Sequence, residues 1–286
     1  MKRHAYTNPA GFRQALEVRL NKMARGQSAD IQRLRRQVAF DRLLCRLIRD
    51  SGEQWILKGG YAMELRLEKS RTTRDIDLAT RRPPRGAGRL SDRILRSLQA
   101  AAATDLNDFF SYAIGQPTRD LAGALYGGAR YPVEARVAGR VFARFHVDVV
   151  SGDPVLEPVE QVHGQDWLAF AGLPSLPFPA ISKEQQFAEK LHAYTLPRAG
   201  AANSRVRDLL DMYLLVRLGL NTRRVGEAVH AVFTRRKTHE MPDTLSPPPD
   251  NWTRPFAALA EECAVETDIH KAFHAVAAFV DRTPLT

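Results

Sequence analysis

The sequence predicts an α/β (α+β) protein in which a small mixed sheet with flanking helices is followed by a C-terminal helical bundle. Three observations lead there. Short apolar or alternating runs at residues 55–57, 74–79, 110–114, 133–137 and 141–150 are interleaved with segments of helical period across the first half. From residue 183 onward the recurring period is helical. Between these halves, residues 152–179 are rich in proline and lack clear periodicity, which marks a connection. The expected domains are therefore 1–180 and 181–286.

Residues 11–25 and 28–50 read as helices; in the second, Ile31, Leu34, Val38, Leu43, Leu47 and Ile48 recur near the 3.6 period, with Ser28 as expected N-cap. Trp55-Ile56-Leu57 is a short strand ended by Gly59-Gly60, a turn that side chains would obstruct, and 61–67 make a short helix. In Arg74-Asp75-Ile76-Asp77-Leu78-Ala79 polar and apolar residues alternate, so a strand here sets both carboxylates on one face. A basic loop at 81–89 leads into a helix at 91–109, with Ile94, Leu95, Leu98, Ala102 and Leu106 as its apolar stripe. In the strand at 141–150, Asp148 lies on the face opposite Val147. Helices at 183–194, 205–218, 222–234, 254–264 and 267–282, with loops at 197–204 and 241–250, complete the chain.

With 44% apolar and 26% charged residues over 286 positions, the composition is that of a soluble globular protein with a sizeable core. Forty-two Lys and Arg against 32 Asp and Glu give a formal charge of +10, which favours a polyanionic partner. Two cysteines, Cys45 and Cys263, are too few and too far apart for a disulfide framework or a zinc site and are expected as buried thiols. No stretch approaches the ~20 apolar residues of a membrane span, and residues 1–10 lack the apolar run of a secretory signal. A cytoplasmic protein without membrane contact is the resulting expectation.

Phosphoryl and nucleotidyl transfer rely on positioning and charge stabilisation, and so on metal-binding carboxylates, backbone that approaches phosphates, and a cation. Asp75 and Asp77, two apart on one strand face, are candidate ligands of a divalent metal, and Asp148, a charge within the apolar run 145–150, is the candidate third. The bland alternatives are surface decoration for the Asp-x-Asp pair and a salt bridge to an arginine for Asp148. Lys58, Gly59 and Gly60 are the candidate nucleotide-binding turn. His146 and His192 lie beside these segments, where a satisfied structural histidine is the commoner outcome.

Ile56-Leu57-Lys58-Gly59-Gly60-Tyr61-Ala62, then Arg71-Thr72-Thr73-Arg74-Asp75-Ile76-Asp77-Leu78, then Glu189-Lys190-Leu191-His192-Ala193 and Arg205-Val206-Arg207-Asp208-Leu209-Leu210-Asp211 occur in that order. Together they resemble the AbiEii-like nucleotidyltransferases, toxins of bacterial toxin-antitoxin and abortive-infection systems within the DNA polymerase β-like superfamily. The resemblance spans residues 55–218; its Gly-Gly to Asp-x-Asp segment is long beside minimal members of the superfamily. It implies a polymerase β-like core, an active cleft between core and helical half, and Mg²⁺ or Mn²⁺ with a nucleoside triphosphate as substrate. It also implies that Lys190 reaches the triphosphate and that Asp211, or Asp208 one turn earlier, is catalytic, Asp211 being favoured by motif position. The implied reaction is transfer of a nucleoside monophosphate to an acceptor hydroxyl, with the 3′ end of tRNA as leading acceptor and a cognate antitoxin as possible partner. The alternatives are transfer of a nucleotidyl or phosphoryl group to a protein hydroxyl, and a catalytically silent module that binds RNA or an antitoxin. Arg71, Arg74, Arg81, Arg82, Arg85, Arg89, Arg93 and Arg96 cluster around the carboxylate strand; Arg71, Arg74, Arg82, Arg85 and Arg89 are the expected RNA-binding rim, a solvated basic surface being the alternative for each.

Overall fold

A computed structural model describes residues 6–27, 29–51, 54–67, 69–121, 127–197 and 205–285, with residue 27 described only in its backbone. Internal contacts divide the chain into two compact units, Met1–Arg66 with Thr72–Gly152 and Gln161–Ala180, and Leu67–Arg71 with Asp153–Glu160 and Ile181–Thr286. Among the described residues no helix is long and apolar enough to cross a membrane.

The first unit is a mixed sheet with helices. Helices α1 (Pro9–Gln27) and α2 (Ile31–Ser51) precede β1 (Trp55–Lys58), α3 (Gly59–Arg66) and β2 (Asp75–Thr80). Then come α4 (Leu90–Ala102), β3 (Phe110–Ile114), β4 (Arg119–Asp120), β5 (Gly128–Val137), β6 (Arg140–Ser151), β7 (Glu160–His163) and β8 (Pro177–Ala180). The strand order is β3-β5-β6-β2-β1-β8-β7, with β4 also pairing β5. β2 runs parallel to β6 and antiparallel to β1. β5 and β6 form a hairpin through Ala138 and Gly139, both at positive φ (51° and 73°), the backbone of a primed turn that matches strand twist.

Period-two patterning decides which face of this sheet is covered. Ile76 and Leu78 of β2, Phe145, Val147 and Val149 of β6, and Ala129, Tyr131, Val133 and Ala135 of β5 are all buried in one core cluster with Phe40, Leu43 and Leu47 of α2 and Ile94 and Leu98 of α4. Alternate residues, among them Asp75 and Asp77 of β2, His146 and Asp148 of β6, and Arg130 and Glu134 of β5, take the other face. A buried ion triad ties α2 to the approach to β3: the Arg46 Nη1 and Nη2 donate to the Asp108 carboxylate at 2.8 and 2.7 Å, and Arg42 Nε donates to it at 2.7 Å.

Two sequence expectations change here. The helix expected over 91–109 ends at Ala102: the Ala103 N–H closes onto Ala100 and Gln99 carbonyls, and Asn107 and Phe109 adopt positive φ (52° and 59°), which no helix continues. Leu106 packs against the core from a loop, so an apolar stripe overstates the helix. The proline-rich connection at 152–179 contains β7 and β8, which extend the sheet beyond β1. Pro177 and Pro179 alternate along β8, so the missing N–H donors fall on one edge of the strand and the other edge can still pair. The proposed N-cap Ser28 and the loop residues 198–204 lie outside the described residues; Asp30 accepts from the Gln32 N–H at 2.9 Å at the start of α2. Cys45 and Cys263 are free and buried.

The second unit is helical: α5 (Lys183–Thr195), α6 (Val206–Arg217), α7 (Thr222–Arg236), α8 (Thr253–Glu262) and α9 (Ile269–Asp281). Ser182, Asn221 and Asp268 cap α5, α7 and α9, accepting from backbone N–H groups of Gln185, Arg224 and Lys271 at 3.1, 3.1 and 2.8 Å. Phe187, Leu191, Leu209, Leu210, Val229, Phe256 and Val276 are fully buried or nearly so. α5 packs on α6 and α7, and α6 packs on α8 and α9.

Asp41 of α2 is a buried carboxyl held by uncharged partners. Its oxygens accept from the Tyr61 hydroxyl and, at 2.7 Å, from Trp167 Nε1–H, and a Cβ on Gly164 would collide with it. Burial pushes its pKa up to about 7, against which these two hydrogen bonds and Arg42 pull weakly. The folded state therefore keeps a proton that the unfolded chain releases near pH 4. The associated stability is complete below about pH 4 and is lost as pH rises through about 7. Urea unfolding of Asp41→Asn, which carries a permanently uncharged carboxamide, is expected to show a variant more stable than wild type at pH 8, with the difference vanishing near pH 4. A pH-independent difference would rule out titration at this position.

Candidate active site

The polar face of the sheet is organised by register. Across neighbouring strands Arg130 pairs with Asp148, Asp148 with Asp77, and Asp77 with Lys58. One residue pair away, Pro132 aligns with His146 and His146 with Asp75. Side chains of register partners in adjacent strands point to the same face. The expected trio Asp75, Asp77 and Asp148 is thus brought together, with a cation at each end of the central row.

Arg130 forks onto two of the three carboxylates. Its Nε and Nη2 donate to Asp148 Oδ1 and Oδ2 at 2.7 Å each, and Nη2 also donates to Asp75 Oδ2 at 2.9 Å. The other Asp75 oxygen lies 3.3 Å from His146 Nδ1. Among the described residues no arginine side chain hydrogen-bonds Asp77: burial, then the adjacent Asp148, push its carboxyl up to about 6, while Lys58 and the Gly60 N–H, 3.4 Å from Oδ2, oppose the shift. Gly59 sits at φ +63°, and a Cβ there would fall inside the Asp77 carboxyl. Glycine at 59 is thereby required twice over, by backbone conformation and by the closeness of Asp77. The Gly-Gly pair opens α3 directly, so no separate turn precedes that helix.

Among the described residues no group of three His, Cys, Asp or Glu side chains is already arranged around a common point for a metal. The donor chemistry nevertheless suits a hard divalent cation: three carboxylates on adjacent strands, burial and then the neighbouring Asp148 hindering ionisation of Asp77, and Arg130 supplying positive charge between Asp75 and Asp148. The residues fit such an ion on condition that Arg130 yields its place.

In the second unit, α5 and α6 join the two later motifs. Lys190 Nζ donates to Asp211 Oδ2 at 2.6 Å and to Asp208 Oδ1 at 3.3 Å. Arg71 forks onto Asp211 at 2.9 and 2.6 Å, and Arg205 lies 3.5 Å from Asp208. Burial opposes the charge on Asp211, yet Lys190 and Arg71 hold its pKa below the usual carboxylate range; burial likewise opposes Lys190, and Asp211 with Asp208 raise it. Arg71, expected on an RNA-binding rim, has a side chain only 12% exposed and belongs to this internal network.

Of the other rim candidates, Arg74, Arg82, Arg85 and Arg89 are exposed, with Arg89 paired to Asp92 at 3.2 Å. Arg93 and Arg96 donate to the carbonyls of Gly88 and Ala87 at 2.9 and 2.8 Å and hold the basic loop on α4. His192 is buried, with Nε2 2.8 Å from the Thr238 hydroxyl; burial and Arg236 lower its pKa to about 4, so it is a neutral packing residue. Arg130 was not found by sequence reading. The strand containing it was expected to start at 133, and only the longer β5, alternating from Ala129, assigns Arg130 to the carboxylate face.

Because Asp211 sits between two buried cations, Asp211→Ala should leave both facing a single remaining carboxylate and cost about 3–5 kcal/mol. Asp208→Ala, at a longer-range and more exposed position, should cost about 1 kcal/mol. Urea unfolding of both variants checks this; equal, small losses would show that the network carries no structural load.

The family profile described as nucleotidyl transferase AbiEii toxin, type IV toxin-antitoxin system, matches residues 42–280. In fold the chain is similar to MenT4, a nucleotidyltransferase toxin of Mycobacterium tuberculosis, with a TM-score of 0.62 and 16% identity, covering 92% of this chain and 88% of that one. JHP933 of Helicobacter pylori aligns with a TM-score of 0.47 and 14% identity, over 86% of this chain and 90% of that one. No curated protein sequence matches. At such identities the structural likeness speaks to the fold, whereas the profile spans most of the sequence and contains the carboxylate strand, the Gly-Gly pair and both later motifs: the chain belongs to the AbiEii nucleotidyltransferase toxin family.

Proposed function

We propose that the chain transfers a nucleoside monophosphate from a nucleoside triphosphate to an acceptor hydroxyl, with the 3′ end of tRNA as leading acceptor and pyrophosphate as leaving group. The reading is supported above all by the row of Arg130, Asp148, Asp77 and Lys58 across four adjacent strands, with Asp75 beside it. Asp75, Asp77 and Asp148 would hold Mg²⁺ or Mn²⁺, and such an ion supplies charge neutralisation at the reacting phosphate and a more acidic acceptor hydroxyl.

The chain's own groups take the remaining tasks. Lys58 keeps Asp77 ionised, and the backbone at Gly59 and Gly60 can approach phosphates without side-chain obstruction. Arg130, released from Asp75 and Asp148 when a stronger cation arrives, becomes available to an anion. Lys190 neutralises triphosphate charge, and Asp211, catalytic in this reading, orients it with help from Arg71. Arg74, Arg82, Arg85 and Arg89 meet the RNA backbone. The proposed partition into a catalytic half, 1–180, and a helical half, 181–286, a cytoplasmic location and a cognate antitoxin complete the reading.

A second reading has its own observation. Arg130 already neutralises Asp75 and Asp148 at 2.7–2.9 Å, as it would in a catalytically silent module that binds RNA or an antitoxin. Transfer to a protein hydroxyl is the third, and differs only in acceptor.

Purified protein with Mg²⁺, mixed tRNA and each α-labelled nucleoside triphosphate in turn distinguishes the three. Label on RNA is expected, lost when periodate destroys the 3′ hydroxyls. Asp75→Asn and Asp77→Asn should each reduce incorporation roughly a hundredfold or more while keeping the circular dichroism of wild type. Label on protein selects the third reading, and no incorporation with any nucleotide in Mg²⁺ or Mn²⁺ selects the silent module.

A further inference from the structure

β2 begins at Asp75, opposite His146, so residues of β6 before His146 have no β2 partner on that edge. A cavity of about 730 Å³ occupies this step in the sheet, inside the ~300–1,000 Å³ range of ligand sites. Its apolar lining comes from Ala113, Pro132, Val133 and Phe145, and Asp75 and His146 form its boundary with the carboxylate row. Four arginines, Arg36, Arg74, Arg130 and Arg144, also line it, against the two acids Asp75 and Glu134.

These four cations are not equally engaged. Arg130 is forked onto Asp148 and Asp75, and Arg144 donates to Glu134 at 2.8 Å. Arg36 has a carboxylate only at 3.8 Å, in Asp30, and its Nε is buried without a hydrogen-bond partner. Burial lowers its pKa, Asp30 opposes that fall, and the charge of Arg74 adds to it, which marks Arg36 and Arg74 as neighbours that repel. A buried, unpartnered donor beside a second cation is costly unless an anion joins them.

The strand order adds direction. Gly59-Gly60 leaves β1 on one side of β2, whereas the cavity lies by β6 and β5 on the other, and Asp75 and Asp77 stand between. A triphosphate at the Gly-Gly pair and an acceptor in the cavity would therefore reach the carboxylates from opposite sides.

We propose that this cavity is the acceptor subsite: the single-stranded 3′ end of an RNA enters it, its terminal base against Pro132 and a backbone phosphate between Arg36 and Arg74. The assignment rests on the nucleotidyl-transfer reading above and adds Arg36 and Arg144 to the RNA-contacting residues. Base on an apolar surface and phosphate on paired arginines is the general chemistry of single-strand recognition.

The test uses the full chain, a 5′-labelled RNA with a free single-stranded 3′ end, and fluorescence anisotropy over a series of salt concentrations. Arg36→Gln combined with Arg74→Gln should raise the Kd about tenfold or more and flatten the slope of log affinity against log salt by roughly 0.7, one single-strand phosphate contact. Arg36→Lys with Arg74→Lys should restore most of the affinity, and Arg144→Gln, at an exposed position, should weaken binding in the same direction. Affinity for a non-hydrolysable triphosphate analogue should stay within about twofold, whereas loss of an arginine–phosphate contact would change it far more. A circular RNA of the same sequence should bind wild type at least about tenfold more weakly, since it has no end to insert. An unchanged Kd and slope, a parallel loss of analogue binding, or equal binding of circular RNA would each overturn the subsite. If wild type transfers nothing to RNA while binding depends on Arg36 and Arg74, the reaction is refuted and the RNA-end site stands. Normal transfer with arginine-independent binding refutes this site alone.

Discussion

The parallel pairing of β2 with β6 is the constraint on which the rest of the chemistry depends. Ile76 and Leu78 on one strand and Val147 and Val149 on the other are buried, and the register that packs them sets Asp77 beside Asp148 and Asp75 beside His146. A slip of one residue would turn the acids into the core and the aliphatic side chains to the open face, which the burial of these four residues forbids. Apolar packing thus performs a task that the carboxylates could not perform for themselves, since adjacent anions repel. Asp77 carries the cost: burial first, and the adjacent Asp148 second, push its carboxyl up to about 6.

Both candidate centres answer crowded charge by internal neutralisation. In the sheet, Arg130 spans Asp148 and Asp75; in the helical unit, Arg71 and Lys190 enclose Asp211, with Asp208 alongside. Every charge in these clusters already has a partner within hydrogen-bond distance or nearly so. A ligand must compete with those pairs, which disfavours monovalent ions and favours multiply charged species such as a divalent cation or a triphosphate. The cavity beside Asp75 is different in kind, because Arg36 meets no close carboxylate there.

Much of this was legible in the chain itself. Alternation along residues 74–79 assigned Asp75 and Asp77 to one face, and the four motifs in their order indicated the family that the profile match establishes. The arginines were less legible. Eight of them cluster in sequence around the carboxylate strand, yet Arg71 turns inward to Asp211, Arg93 and Arg96 tie down a loop, and Arg74, Arg81, Arg82, Arg85 and Arg89 reach solvent. Composition cannot separate these cases because each guanidinium is equally suited to carboxylate, carbonyl or phosphate. Strand β8 escaped notice for another reason: its prolines resemble a linker, and only the presence of β1 as a neighbour makes it a strand.

The sequence by itself determined the faces of the strands and helices, since side-chain direction follows from local periods of two and 3.6 residues. It also determined family membership, through motifs that are contiguous in the chain. Tertiary structure alone decided which charges meet. Arg130 reaches Asp75 across 55 positions and Arg71 reaches Asp211 across 140, distances over which no local rule operates. Those pairings are consequences of strand register and helix packing, and they exist only once the apolar faces have been buried.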